Sequence, residues 1–174
     1  MSDTFITIIA IFLEAILMFI FPLMTLADRN DDVTQLAIQT ATTEFVDEIR
    51  TTGKLTWDKY NSFNTSIATT GNVYEIEIQF KILDENPAKK TAQSDGVTII
   101  GENVYYSVYT TQIEERLTTK GEYILKEGDI VSLSVKNRGA TLAQSLRNIY
   151  YKVTGNESYT IAASSAGTVT VNGK

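Results

Sequence analysis

Residues 5–27 read FITIIAIFLEAILMFIFPLMTLA, and the organisation of the whole chain follows from this run. Only Thr7, Glu14, Pro22 and Thr25 interrupt 23 otherwise apolar residues. As a helix rising about 1.5 Å per residue, the run spans roughly 34 Å, more than the ~30 Å hydrocarbon core of a bilayer. It is apolar on every face, which the surface helix of a soluble domain is not. A cleaved secretory signal fits poorly, because the run is long and no basic region precedes it. A buried helix of a soluble domain also fits poorly, because a chain of 174 residues can hardly wrap such a segment. The favoured reading is a membrane-spanning or filament-core helix over residues 1–27.

An acidic collar follows, Asp28-Arg29-Asn30-Asp31-Asp32, and then the pattern turns amphipathic. Val33, Leu36, Ala37, Ala41, Phe45 and Ile49 recur at three- and four-residue spacing and predict one apolar stripe. Residues 28–53 therefore read as the amphipathic continuation of the same helix, running from about Thr4 to Thr52 and stopped by Gly53. Pro22 is expected to kink it, because proline removes a backbone donor and crowds the preceding turn.

Residues 54–174 read as a globular α+β domain, so the fold class is a long N-terminal helix packed on an antiparallel sheet. Thr56 caps a short helix over Trp57–Ala68. Tyr74, Ile76, Ile78, Phe80 and Ile82 alternate with Glu75, Glu77, Gln79 and Lys81, which predicts a half-buried strand over Val73–Leu83. A polar loop is expected at 84–96, with strands at Val97–Ile100, Val104–Thr110 and Ile130–Lys136. A helical turn or two is expected at Gln112–Leu117. Thr141 caps a helix to about Val153, with Leu142, Leu146, Ile149, Tyr150 and Val153 on its apolar face. The end reads as a hairpin, Tyr159–Ala163 and Thr168–Val171, turning at Ser164-Ser165-Ala166-Gly167.

The chain has no His and no Cys, which removes serine–histidine triads, thiolate chemistry and the commonest transition-metal ligands. The net charge of −6 argues against nucleic acid as a partner. All of that charge lies in residues 1–50, which hold two basic and eight acidic residues. No catalytic constellation, cofactor motif or metal signature stands out, so neither an enzyme, a cofactor nor a metal is expected. Glu114-Glu115 and Glu75/Glu77 read as surface acids, Glu127-Gly128-Asp129 as a turn, and the collar lacks the pattern of a calcium loop.

Glu14 does need an explanation. A carboxylate amid apolar residues costs several kcal/mol unless paired, hydrated or protonated. Either it sits protonated or hydrated, or it meets a cation when this helix packs against another, which would reward one axial stagger over others.

These features together resemble type IV pilin-like proteins, including Tad-type pseudopilins of Gram-positive pilus or secretion clusters. Glu14 is similar to the family's single glutamate and Pro22 to its helix-kinking proline. The resemblance implies a subunit held in the bacterial cell membrane before assembly and packed through its N-terminal helix afterwards, with the globular domain outside the cell in a surface filament. It implies partners: copies of itself, the membrane, and pilus or secretion assembly machinery. Glu14, Pro22, Phe5, Phe12, Phe19 and Phe21 are the residues expected to act in assembly. Family leaders end five residues before the glutamate, counting it as fifth. Here a cut after Ala10 would place Glu14 fourth, which leaves cleaved and uncleaved subunits both open. The alternative reading is a monomeric, single-pass membrane-anchored accessory or binding module of a secretion or conjugation system.

Overall fold

A computed structural model describes residues 2–84, 105–154 and 160–174, without the side chains of Ser2 and residues 149–154. The predicted strand Val97–Ile100, nearly all of the loop at 84–96, and the Tyr159 end of the predicted hairpin lie outside the described residues.

The first element, α1 (Ser2–Thr52), is one helix of 51 residues, and it is continuous through Pro22. Gly53 ends it at φ +66, with its N–H bonded to the Ile49 carbonyl. Only glycine fits here, because a Cβ would come within 2.4 Å of the Gly173 nitrogen. Then follow β1 (Lys54–Thr56), α2 (Trp57–Ala68), β2 (Tyr74–Leu83), β3 (Tyr105–Tyr109) and α3 (Thr110–Lys120). The chain closes with β4 (Glu122–Ile124), β5 (Ile130–Asn137), α4 (Leu142–Thr154) and β6 (Ala162–Thr168). An all-antiparallel four-stranded sheet has the order β3-β2-β5-β6, and β1 pairs with β4 in a separate ribbon. This is the α+β arrangement read from the sequence: a long N-terminal helix on an antiparallel sheet, with further short helices.

From Phe5 to Leu23 the side chains of α1 are exposed, whereas its second half lies across the sheet. The stripe it buries is Ala27, Asp31, Thr34, Ile38, Thr42, Phe45 and Ile49, with Val46 alongside. This corrects the predicted stripe, because Val33 and Leu36 are exposed. The true stripe was hidden by its polar members, Asp31, Thr34 and Thr42, which face the domain where an apolar residue was expected. Inward-facing Ile78, Phe80, Val131, Leu133 and Val135 complete the core, with Phe63 of α2 stacked 4.5 Å from Phe45.

The C-terminal hairpin is also corrected. Ser164, Ser165, Ala166 and Gly167 form the middle of β6, paired along β5 from Ile130↔Thr168 to Lys136↔Ala162. Their small size suits them to this place. Ala163, Ser165 and Gly167 lie opposite Val135, Leu133 and Val131, on the face that α1 covers, and let the helix come close. At Gly167 a Cβ would lie 2.4 Å from Arg50 Nε, so a larger residue would displace that side chain. The ribbon strands β1 and β4 were not expected from sequence, and α3 is longer than the turn or two predicted at Gln112–Leu117.

Candidate assembly surface

Between Phe5 and Phe21 the large apolar side chains are exposed on all sides of α1, with Phe19 reaching 77%. Phe5, Phe12 and Phe21 stand out in the same way, and Glu14 and Pro22 are exposed among them. This is one helix long and apolar enough to cross a membrane, with a mean hydropathy of 2.6 in its most apolar window and none of that window buried in the protein.

The helix satisfies most of its own polarity in this region. The Thr7 hydroxyl donates to the Asp3 carbonyl at 2.8 Å, and the Thr25 hydroxyl donates to the Phe21 carbonyl at 3.0 Å. Both bonds remove an exposed donor without any outside partner. Pro22 has no N–H to satisfy. Glu14 differs: it makes no ion pair among the described residues, so its carboxylate depends on whatever surrounds the helix.

Where the apolar run ends, a series of polar clamps begins. Asp28 pairs with Arg147 of α4 at 2.5 Å. Asp31, itself buried, accepts a hydrogen bond of 2.6 Å from the Thr141 hydroxyl. Thr141 is the N-cap of α4 in a reciprocal capping box. Its hydroxyl accepts from the Gln144 N–H at 3.2 Å, and its own N–H donates to Gln144 Oε1 at 3.0 Å. Gln35 bonds both the N–H and the carbonyl of Ala162, at 3.1 and 2.7 Å, and Arg50 Nε donates to the Thr168 carbonyl at 3.0 Å. Gln35 and Arg50 thus occupy backbone groups of an edge strand that would otherwise invite another strand.

The sequence pointed to the cap at Thr141 but placed Leu142 on the buried face of α4. Leu142 is exposed, and Ala143 and Gln144 are buried instead, because the capping box folds Gln144 back onto the helix start. The side chains of Ile149, Tyr150 and Val153 lie outside those described. The sequence shows the collar only as an acidic stretch without a calcium-loop pattern, whereas two of its acids are the first clamps between α1 and the domain. Their signal was faint: Asp31 falls in step with Ala27, Thr34 and Ile38 at three- and four-residue spacing.

The other acids have local roles. Glu114 accepts a 2.5 Å hydrogen bond from the Tyr60 hydroxyl. Burial first, then this bond and the nearby carboxylate charge, push the Tyr60 phenol from 10.0 up to about 12. Asp129, in the predicted turn, accepts from the N–H groups of Leu83 and Lys126 at 2.8 Å each. Glu75 and Glu77 are exposed on the outer face of β2. Among the described residues no group of three metal-ligating side chains comes together.

Comparison with protein-family models, with curated proteins and with solved structures finds no match for this chain.

Proposed function

We propose that this chain is a pilin-like structural subunit of a bacterial surface filament, anchored in the membrane through α1 before assembly and packed through it afterwards. The observation that carries the reading is the division of α1. Residues 5–21 expose an all-round apolar surface, while the continuation from Ala27 is clamped to a folded domain. A helix with that surface needs lipid or copies of itself around it. In lipid, helix association depends on side-chain packing and polar contacts, since lipid tails are as apolar as leucine. Phe5, Phe12, Phe19 and Phe21 supply the packing surface. Glu14 supplies the polar contact, met by a cation of a neighbouring subunit such as a chain-terminal amine, and it selects the stagger between helices.

Electron microscopy of shed surface material tests this reading. Filaments labelled by an antibody to residues 54–174 are expected. A chain recovered only as a detergent-soluble monomer, with no filaments, favours a membrane-anchored accessory module instead. In the filament reading, Glu14→Ala leaves the domain folded and lowers filament yield or helical order several-fold. Normal filaments at normal yield from this variant would remove Glu14 from the assembly.

A further inference from the structure

Beside the collar lies a groove of about 780 Å³. Leu23, Leu26, Arg29 and Val33 line it from α1, and Asn72 and Leu142 line it from the domain. Its height along the helix identifies what it meets. The apolar run ends at Ala27, and the domain begins at the same level, because Ala27 is itself buried and Asp28 and Asp31 are already clamped to α4. No spacer separates the two. At 1.5 Å per residue, Leu23 lies about 6 Å below Ala27 and Val33 about 9 Å above it. The groove therefore straddles the edge of the hydrocarbon, where a headgroup layer of about 5–8 Å lies on each side of a bilayer.

Its chemistry changes across the same boundary. Leu23 and Leu26 lie at the hydrocarbon end, and Arg29 above them is exposed and pairs with no carboxylate among the described residues. Asp31, the acid that also lines the groove, is buried and taken up by the Thr141 hydroxyl. On the domain side Leu142 is 59% exposed, although it opens a helix whose next two residues are buried. An exposed leucine and an unpaired arginine at this depth suit the interface between acyl chains and headgroups, where long cationic side chains keep their charge in the polar layer.

We propose that this groove is a phospholipid-binding site: an acyl chain lies along Leu23, Leu26 and Leu142 and the headgroup phosphate against Arg29, so that the domain rests directly on the bilayer. The proposal rests on the reading of α1 as a membrane-spanning helix. The native chain has no cysteine, so single labels can be placed cleanly. Full-length Phe12→Cys, Leu142→Cys and Glu127→Cys variants would each carry a small fluorophore. They would be reconstituted in phosphatidylcholine–phosphatidylglycerol vesicles containing lipids with a nitroxide on the headgroup or deep in the acyl chain. Position 127 is the reference, since Gly128 bonds to Val169 in the segment joined to the Arg50 end of α1.

The expected result is headgroup-nitroxide quenching several-fold stronger at 142 than at 127, with the deep nitroxide acting most strongly at 12. Quenching at 142 no greater than at 127, while 12 is quenched, overturns the lipid site and leaves the spanning helix standing. If 12 also escapes, the spanning helix fails and the lipid site fails with it. Labels at 142 that escape lipid but couple between neighbouring copies would assign the groove to a second subunit, which also overturns the proposal.

Discussion

The two halves of α1 share one backbone geometry and differ in what their side chains meet. From Phe5 to Phe21 no face is preferred and the apolar side chains are exposed. From Ala27 to Ile49 one stripe is buried, and polar groups in or beside it are bonded to the domain. A helix in water needs such a stripe to be stable, because most helical stability in proteins comes from packing an amphipathic face. A helix in hydrocarbon does not, because its backbone bonds are all internal and its whole surface is compatible with the medium. In the membrane-anchored reading proposed above, the change from one pattern to the other, between Pro22 and Asp31, corresponds to a change of solvent within a single element.

The sharpest way to break this comparison is to make the same kind of truncation in each half. Ile49→Ala removes a side chain with no exposure from the centre of the core. It is expected to cost the domain about 2–5 kcal/mol in denaturant unfolding of the detergent-solubilised chain. Phe19→Ala removes a larger side chain but is expected to leave domain stability within about 0.5 kcal/mol of the original. Equal losses from the two would mean that the halves are not independent. A smaller effect sharpens the boundary itself. Thr141→Ala deletes both the cap of α4 and the partner of the buried Asp31, and should cost about 1–2 kcal/mol in the same unfolding measurement. Thr141→Ser, which keeps the hydroxyl, should recover most of it.

The least effect at neutral pH comes from Tyr60 of α2, buried in the core on which the clamped half packs. Its phenol titrates higher in the folded chain, at about 12, than the usual 10.0. The stability tied to the neutral phenol is therefore complete below pH 10 and is lost as pH rises from about 10 through about 12. Tyr60→Phe should flatten that decline in an unfolding series across this range. An unchanged slope would show that Tyr60 is not its source.

What could be read in advance follows from how locally each feature is encoded. The strict alternation from Tyr74 to Ile82 reports one wet and one dry face, and it marks β2 without any knowledge of neighbours. Thr56 and Thr141 announce helix starts because capping is a contact within three residues. The apolar run needs only length and composition. By contrast, β6 carries a turn-like composition, and it is a strand because β5 and α1 leave room there for small residues only. The ribbon strands Lys54–Thr56 and Glu122–Ile124 are three residues each, too short for any period. The buried stripe of α1 was misplaced onto Val33 and Leu36 because Asp31 and Thr42 occupy inward positions that hydropathy assigns to water. Glu14 was visible as an anomaly, whereas the clamp roles of Asp28 and Asp31 depend on Arg147 and Thr141, more than a hundred residues away.

The clamps at Asp28, Asp31, Gln35 and Arg50 also set an angle. Because they hold the domain along more than twenty residues of α1, the domain cannot swivel about the helix axis. Its compass bearing is determined by the side-chain directions of the helix. Each residue of an α-helix turns the bearing by 100° and lifts it 1.5 Å. Inserting or deleting one residue between Pro22 and Ala27 would leave both halves chemically intact, yet swing the domain more than a quarter-turn relative to Glu14 and the four phenylalanines. The short stretch between proline and collar thus acts as a protractor, translating the azimuth of the apolar helix into the direction the domain faces.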